Sequence, residues 1–257
     1  MPEGPEVKLI TEYLNSQIEN QVITNIEFIS GRYNQTIPQG FEEFYDNLPF
    51  LIEGVYCKGK FIYITCYKED SRFHICHSLR MTGSWSTTKK EHTRWYFELK
   101  DRPSLYFSDP RNFATISFID SDEELQEILS SLGPDIMTPE FTFQKWKSLL
   151  SQHPNKNITD FLMTQNIISG CGNYLKAECL YYSKISPHRK VHSLTPLEQE
   201  KLYEALNTIP KQCYCNQGVY YKDGYPKYNL QIYGNKNAKR EKTPDGRITW
   251  WDPNHQF

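Results

Sequence analysis

Ile168-Ser169-Gly170-Cys171-Gly172-Asn173 joins two helical patterns through a turn that carries two glycines. Glycine permits positive φ and close backbone approach. A helix beginning at Asn173 would aim free N–H groups outward, where an anion such as phosphate can dock. The same residues also read as a tight helix–helix corner capped by Asn173. Either way two helices meet here, and the surrounding sequence is helical. Helices are expected over 142–151, 158–165, 173–182 and 196–207. The last opens on Thr195-Pro196-Leu197-Glu198, a capping box with proline at the first helical position. Further on, 231–233 and 248–251 bracket a polar turn containing Pro244-Asp245-Gly246, a hairpin signal.

Toward the N-terminus the period changes. Residues 22–29, 51–67, 72–78, 94–100, 104–108 and 114–119 are β-branched or aromatic runs separated by Gly, Pro, Asp and Ser. They predict six or more strands in a sandwich or barrel. Val7, Ile10, Leu14 and Ile18 share one face of a helix over 5–20, and 120–131 forms a second, short helix. Leu132-Gly133-Pro134-Asp135 is the expected boundary between two domains, 1–132 and 133–257. The fold class is α+β.

Composition narrows the function. At 257 residues, with 38% hydrophobic and 14% aromatic content, the chain is no disordered polymer. No apolar run approaches the ~20 residues that span a bilayer. The charged, proline-containing terminus is no signal peptide, so an intracellular protein with no membrane partner is expected. Seven cysteines without paired spacing point to reduced thiols. Cys213-Tyr214-Cys215 lacks zinc spacing, so neither a structural metal nor any cofactor is expected. A net charge of −2 and a pI near 6.4 weigh against nucleic acid. Residues 207–257, however, hold eight Lys/Arg against four Asp/Glu, leaving 21 basic against 27 acidic residues elsewhere. A local basic surface is therefore available.

The chain opens Met1-Pro2-Glu3-Gly4-Pro5-Glu6-Val7. Removal of Met1 would expose a proline secondary amine with Glu3 and Glu6 close by. An α-amino group titrates near ~8, so about a tenth carries a free lone pair at neutral pH. Fixing that amine against an electrophilic carbon and supplying protons from Glu3 would provide most of the catalysis. The structural alternative is a helix start, with Pro5 in the first turn and carboxylates favoured by the helix dipole.

Four further segments carry chemistry. Lys58-Gly59-Lys60 sets two cations around a glycine in an apolar strand region, ordinarily a solvated hairpin edge. Asp109-Pro110-Arg111-Asn112-Phe113 combines a turn, a long cation and a ring. That set suits insertion into a base stack, and equally a solvent loop with Phe113 tucked into the core. Met81, in Leu79-Arg80-Met81-Thr82-Gly83, lies where a strand ends, a position where methionine commonly fills a gap in the core. Arg247 lies in the basic segment with Lys236, Lys239, Arg240 and Lys242, and could grip a phosphate bidentately.

Taken in order, PEGPEV at the terminus, KGK at 58–60, SLRMTG at 78–83, DPRNF at 109–113, GCGNYLKAE at 170–178 and IYG at 232–234 resemble the formamidopyrimidine-DNA glycosylase and endonuclease VIII family. The likeness extends over essentially the whole chain. It implies an N-terminal β-sandwich with flanking helices, a C-terminal helix-two-turns-helix domain, and a β-hairpin finger at about 230–257. It further implies a monomeric base-excision repair glycosylase and AP lyase acting on double-stranded DNA with oxidised bases or abasic sites. Pro2 would attack the anomeric carbon and form a Schiff base, with β- and δ-elimination following. Glu3 would protonate the opening sugar and Glu6 would help position the terminus. Lys60, Asn173 and Arg247 match phosphate-gripping positions, and Met81, Arg111 and Phe113 match the trio that fills the gap left by an everted nucleotide.

Departures from the pattern refine the resemblance. No cysteine follows Cys215, so the finger is similar to the zincless one of vertebrate endonuclease VIII-like enzymes, with Trp250, Trp251, Tyr233 and Ile248 packing in place of a metal. Gly4 is similar to the endonuclease VIII branch, which favours oxidised pyrimidines; the formamidopyrimidine branch usually has leucine there. Arg-Asn-Phe stands where Arg-Arg-Phe is usual, and 217–227, where a lesion-contacting loop would fall, matches nothing. Rival readings are the same chemistry on formamidopyrimidines or 8-oxoguanine, and a non-catalytic damaged-DNA-binding protein. The resemblance leaves two compartments open, the nucleus or a cytoplasmic replication site.

Overall fold

Val7, Leu14 and Ile18 recur on one face of α1 (Gly4–Ile18), and all three are buried, as the periodicity predicts. Asn15 on the same helix acts as a surrogate strand. Its side-chain amide donates to the Val55 carbonyl at 2.9 Å and its side-chain oxygen accepts the Val55 N–H at 2.7 Å. The computed structural model describes residues 2–69, 71–216 and 228–257. The chain divides into two units, one holding Pro2 and residues 6–131, the other residues 3–5 and 132–257.

In the first unit the strands are β1 (Val22–Phe28), β2 (Phe50–Lys58), β3 (Phe61–Lys68), β4 (Ser71–Ser78), β5 (Ser84–Ser86), β6 (Thr93–Leu99), β7 (Leu105–Ser108) and β8 (Thr115–Ile119). They form one antiparallel sheet in the order β5-β7-β6-β1-β2-β3-β4-β8. The β1–β2 ladder is short, limited to Val22 opposite Leu51 and Ile23 opposite Phe50. The two halves of the sheet face each other: His77 of β4 packs edge-on against Trp85 of β5, Trp95 of β6 and Phe107 of β7. That is the sandwich. α2 (Phe41–Asp46) inserts Phe44 between Phe50 and Phe118, each 4.8 Å away by ring centroid. α3 (Asp122–Ser131) lays Leu125 against Cys76 and Ile119. The long apolar run over 51–67 is two strands, because Gly59 takes φ +59° and turns the chain at Lys58-Gly59-Lys60.

The second unit contains α4 (Phe143–Gln152), α5 (Ile158–Met163), α6 (Asn173–Tyr182), α7 (Pro196–Cys215) and the hairpin β9 (Lys239–Lys242) with β10 (Ile248–Trp251). Thr142 caps α4 by accepting the Lys145 N–H. The Thr195–Glu198 capping box opens α7 with both reciprocal bonds formed. Two expectations give way. α7 runs eight residues past 207, through a buried Pro210 whose missing N–H removes one helical bond without ending the helix. The partner strand of β10 is Lys239–Lys242, whereas 231–233 is a loop.

Candidate active site

Glu3 is buried, and its carboxylate sits at the start of α6. One oxygen accepts the Tyr174 N–H at 2.9 Å and the other the Leu175 N–H at 3.2 Å. The first-turn N–H groups of a helix lack intrahelical partners and carry partial positive charge, which favours an anion there. Both readings of the 168–173 turn therefore need correction. The N–H groups of Tyr174 and Leu175 receive an internal anion rather than a phosphate. The helix cap is Gly172 without a side-chain bond, not Asn173. A Cβ on Gly172 would lie 2.2 Å from Glu3 Cδ, so the glycine is what lets the carboxylate seat. The next residue is fixed too, since the Gly4 N–H donates to the Gly170 carbonyl at 2.9 Å.

α6 carries three more attachments along its length. Asn173 turns its side-chain amide away from the helix to donate to the Ile248 carbonyl at 3.0 Å, at the start of β10. One turn later Lys176, fully buried, makes a 2.6 Å ion pair with buried Asp245 in the hairpin turn. Burial pulls the Lys176 ammonium below its ordinary pKa, and the Asp245 carboxylate opposes that shift. Glu178, also fully buried, accepts the N–H groups of Gln231, Ile232 and Tyr233 and the Tyr228 hydroxyl, all at 2.7–3.0 Å. It holds 231–233 as a loop. Arg247 stands in the hairpin turn, where its carbonyl accepts the Thr243 N–H at 2.9 Å.

In the first unit a single buried carboxylate organises two loops. Asp109 accepts the N–H groups of Arg111 (3.2 Å), Phe113 (2.7 Å) and Ala114 (2.8 Å) and the hydroxyl of Thr82. Burial pushes its pKa up, but those donors prevail and hold it below the usual carboxylate range. The Thr82 hydroxyl in turn accepts the Arg111 N–H at 3.3 Å. The loops carrying Met81, Arg111 and Phe113 are thereby tied side by side. Phe113 is 48% exposed with the Arg111 guanidinium 4.8 Å from its ring centre, so it is not tucked into the core. Asn112 adopts φ +55°, and Arg32 clasps its carbonyl and that of Ala114. Lys60 closes the β2–β3 turn, partly buried, as are Pro2 and Glu6 in their own positions. Among the described residues no group of His, Cys, Asp or Glu is arranged to hold a metal. None of the helices described is long and apolar enough to cross a membrane.

Two family profiles match the sequence: the formamidopyrimidine-DNA glycosylase N-terminal domain over residues 1–116 and the formamidopyrimidine-DNA glycosylase H2TH domain over residues 132–218. A formamidopyrimidine-DNA glycosylase of Bacillus cereus is 31% identical over 217 residues, 81% of this chain and 76% of that one. The chain belongs to the formamidopyrimidine-DNA glycosylase family. Another relative of that name, from Wolbachia pipientis subsp. Culex pipiens, is 28% identical over 247 residues, 91% of this chain and 89% of its own. The solved structure of a complex between the Lactococcus lactis protein of this family and abasic-site DNA superposes with a TM-score of 0.82, at 24% identity and 99% coverage of both chains. The named relatives are bacterial, which supports an intracellular protein and lends nothing to a nuclear one.

Within this glycosylase family fold, the sequence reading missed Asp109, Gly172, Lys176 and Asp245 as organisers of the site. Each lies inside or beside a motif already singled out. Their roles were illegible because each depends on a partner distant in the chain: Thr82 for Asp109, Glu3 for Gly172, and Lys176 and Asp245 for each other. Met1 and the stretch 217–227, where a lesion-contacting loop is expected, lie outside the described residues.

Proposed function

We propose that this base-excision repair DNA glycosylase removes oxidised pyrimidines and then cleaves the strand as an AP lyase, with Pro2 as the nucleophile. The observation that carries the reading is the Glu3 carboxylate locked on α6, one peptide bond from Pro2. Once Met1 is removed, the Pro2 nitrogen attacks C1′ of the damaged nucleotide as the C1′–base bond breaks. The Glu3 carboxylate takes the proton that the Pro2 nitrogen sheds on bonding to C1′ and passes it to the ring oxygen as the sugar opens, while the departing base takes a proton from water. The iminium left behind is resolved by β- and δ-elimination. Glu6 steadies the terminus. Lys60, Asn173 and Arg247 bind phosphates, and Met81, Arg111 and Phe113 occupy the space of the everted nucleotide, whose unstacking costs about a few kcal/mol. The hairpin serves as a finger that needs no zinc.

Gly4 supports the pyrimidine branch. A Cβ there would lie 3.2 Å from the Gly170 carbonyl oxygen and 3.4 Å from Met137 Cγ, so leucine fits only if these neighbours give way. Formamidopyrimidine or 8-oxoguanine preference is the second reading, favoured by the names of the relatives. Processed protein incubated with duplexes carrying dihydrouracil, thymine glycol, 8-oxoguanine or an abasic site, with borohydride present, tests both. Imine trapping on the pyrimidine lesions supports the first, and a purine preference the second. Absence of any adduct, abasic duplex included, removes the catalytic reading.

A further inference from the structure

Arg247 is bracketed by two ties to α6. Two residues before it, Asp245 pairs with Lys176; one residue after it, the Ile248 carbonyl receives the Asn173 amide. Inside the turn, Asp245 spends its second oxygen on the Thr243 hydroxyl, which also reaches the Arg247 carbonyl at 3.1 Å and Thr249 at 2.6 Å. The turn closes with the Gly246 N–H donating to the Thr243 carbonyl at 2.8 Å. Two fully desolvated charges are a poor way to gain stability, because apolar replacements of similar size commonly do as well. Their use here is directional: a 2.6 Å contact between a point on the helix and a point on the turn leaves the intervening backbone one register.

We infer that Lys176 and Asp245 are positioning residues, a buried ion pair that sets the Arg247 phosphate grip at a fixed distance from Asn173. The inference rests on the proposed role of Arg247 in binding a phosphate. Lys176 acts only through the turn, so its loss and the loss of Arg247 are the same loss.

The test is a double-mutant cycle on the full chain, read as affinity for a duplex containing a tetrahydrofuran abasic analogue across a salt series. One phosphate contact contributes a salt slope of about 0.9, or roughly eightfold in affinity at ~0.1 M salt. Arg247→Ala and Lys176→Met should each weaken binding by about that factor and flatten the slope by about one. The double variant should bind no worse than Arg247→Ala, and Lys176→Arg should recover most of the wild-type affinity. Single-turnover cleavage at saturating enzyme should stay within about twofold of wild type in Lys176→Met. Where Lys176→Met fails to fold because Asp245 is left alone, Lys176→Gln with Asp245→Asn leaves no lone buried charge and enters the same cycle. Additive losses, or an unchanged salt slope on removing Lys176, overturn the inference while leaving the Arg247 role intact. Wild-type binding by Arg247→Ala overturns both.

Discussion

Gly172→Ala isolates the seating of Glu3 from every other feature of the site. Gly172 has φ −135° and ψ −161°, extended backbone open to any residue, so alanine brings no conformational strain. What it brings is one methyl group, 2.2 Å from Glu3 Cδ, 2.4 Å from Oε1 and 2.6 Å from Cγ. The carboxylate cannot stay. Leaving means surrendering the bonds from Tyr174 and Leu175, each a charge-assisted bond of about 1.5–3 kcal/mol. The chain cannot easily shift instead, because Gly4 is bonded to Gly170 immediately beyond. A misplaced general acid forfeits about 10²–10⁴ in rate. Single-turnover release of dihydrouracil should therefore fall roughly 10²-fold or more, with little change in affinity for the tetrahydrofuran duplex. In a Glu3→Ala background the same methyl meets no carboxylate, so the double variant should match Glu3→Ala. A Gly172→Ala enzyme within about threefold of wild type, or one whose defect multiplies that of Glu3→Ala, would refute the seating argument.

Three further outcomes are expected. Burial holds His77 down to about 4, against about 6.5 when unfolded, so the unfolded chain binds the extra proton between those values. The stability His77 contributes is thus whole above about 6.5 and lost as pH falls toward 4, by about 3 kcal/mol in total. Urea unfolding at pH 7 and pH 4.5 should show a smaller pH difference in His77→Phe than in wild type, and an equal difference would reject the assignment. Phe113→Ala should leave melting nearly unchanged, since the ring is half exposed, yet reduce lesion cleavage; 2-aminopurine fluorescence opposite the lesion reports the gap it fills. Asp109→Leu strands three backbone donors at about 1–3 kcal/mol each, so melting should drop sharply, and a drop smaller than that of Thr82→Val would argue against Asp109 as the organiser.

The features legible in the sequence were those that local chemistry decides. The three- and four-residue spacing of Val7, Ile10, Leu14 and Ile18 gave α1, the Thr195–Glu198 box gave the start of α7, and β-branched and aromatic runs gave the sandwich strands. α7 extends past 207 because Pro210, packed in a buried helix, forfeits one bond and keeps its apolar contacts. Gln231-Ile232-Tyr233 looked like a strand, but its N–H groups find Glu178 rather than a neighbouring strand, a partner 53 to 55 residues upstream. The Gly170–Asn173 turn read correctly as an anion site in chemistry and wrongly in occupant. Nothing local in that segment announces that the anion arrives from residue 3.

A hairpin of two four-residue strands is marginal alone in water, and this one has no cysteines to bind a metal. Its own contacts are few: the buried Thr243 and Thr249 hydroxyls bond to each other, Arg240 lies over Trp250, Lys239 over Trp251, and the Trp251 indole donates to Glu241. The Lys239 and His188 bonds hold the Glu241 carboxyl down to about 2, yet such exposed pairs contribute little to stability. Further support comes from α6, through Asn173, Lys176 and Glu178. The same helix receives Glu3 at its first turn. One helix thus holds both the carboxylate proposed as the acid and the turn of the arginine proposed to hold the phosphate. The hairpin proposed to work as a finger without zinc is therefore held by the same helix that seats the Glu3 carboxylate.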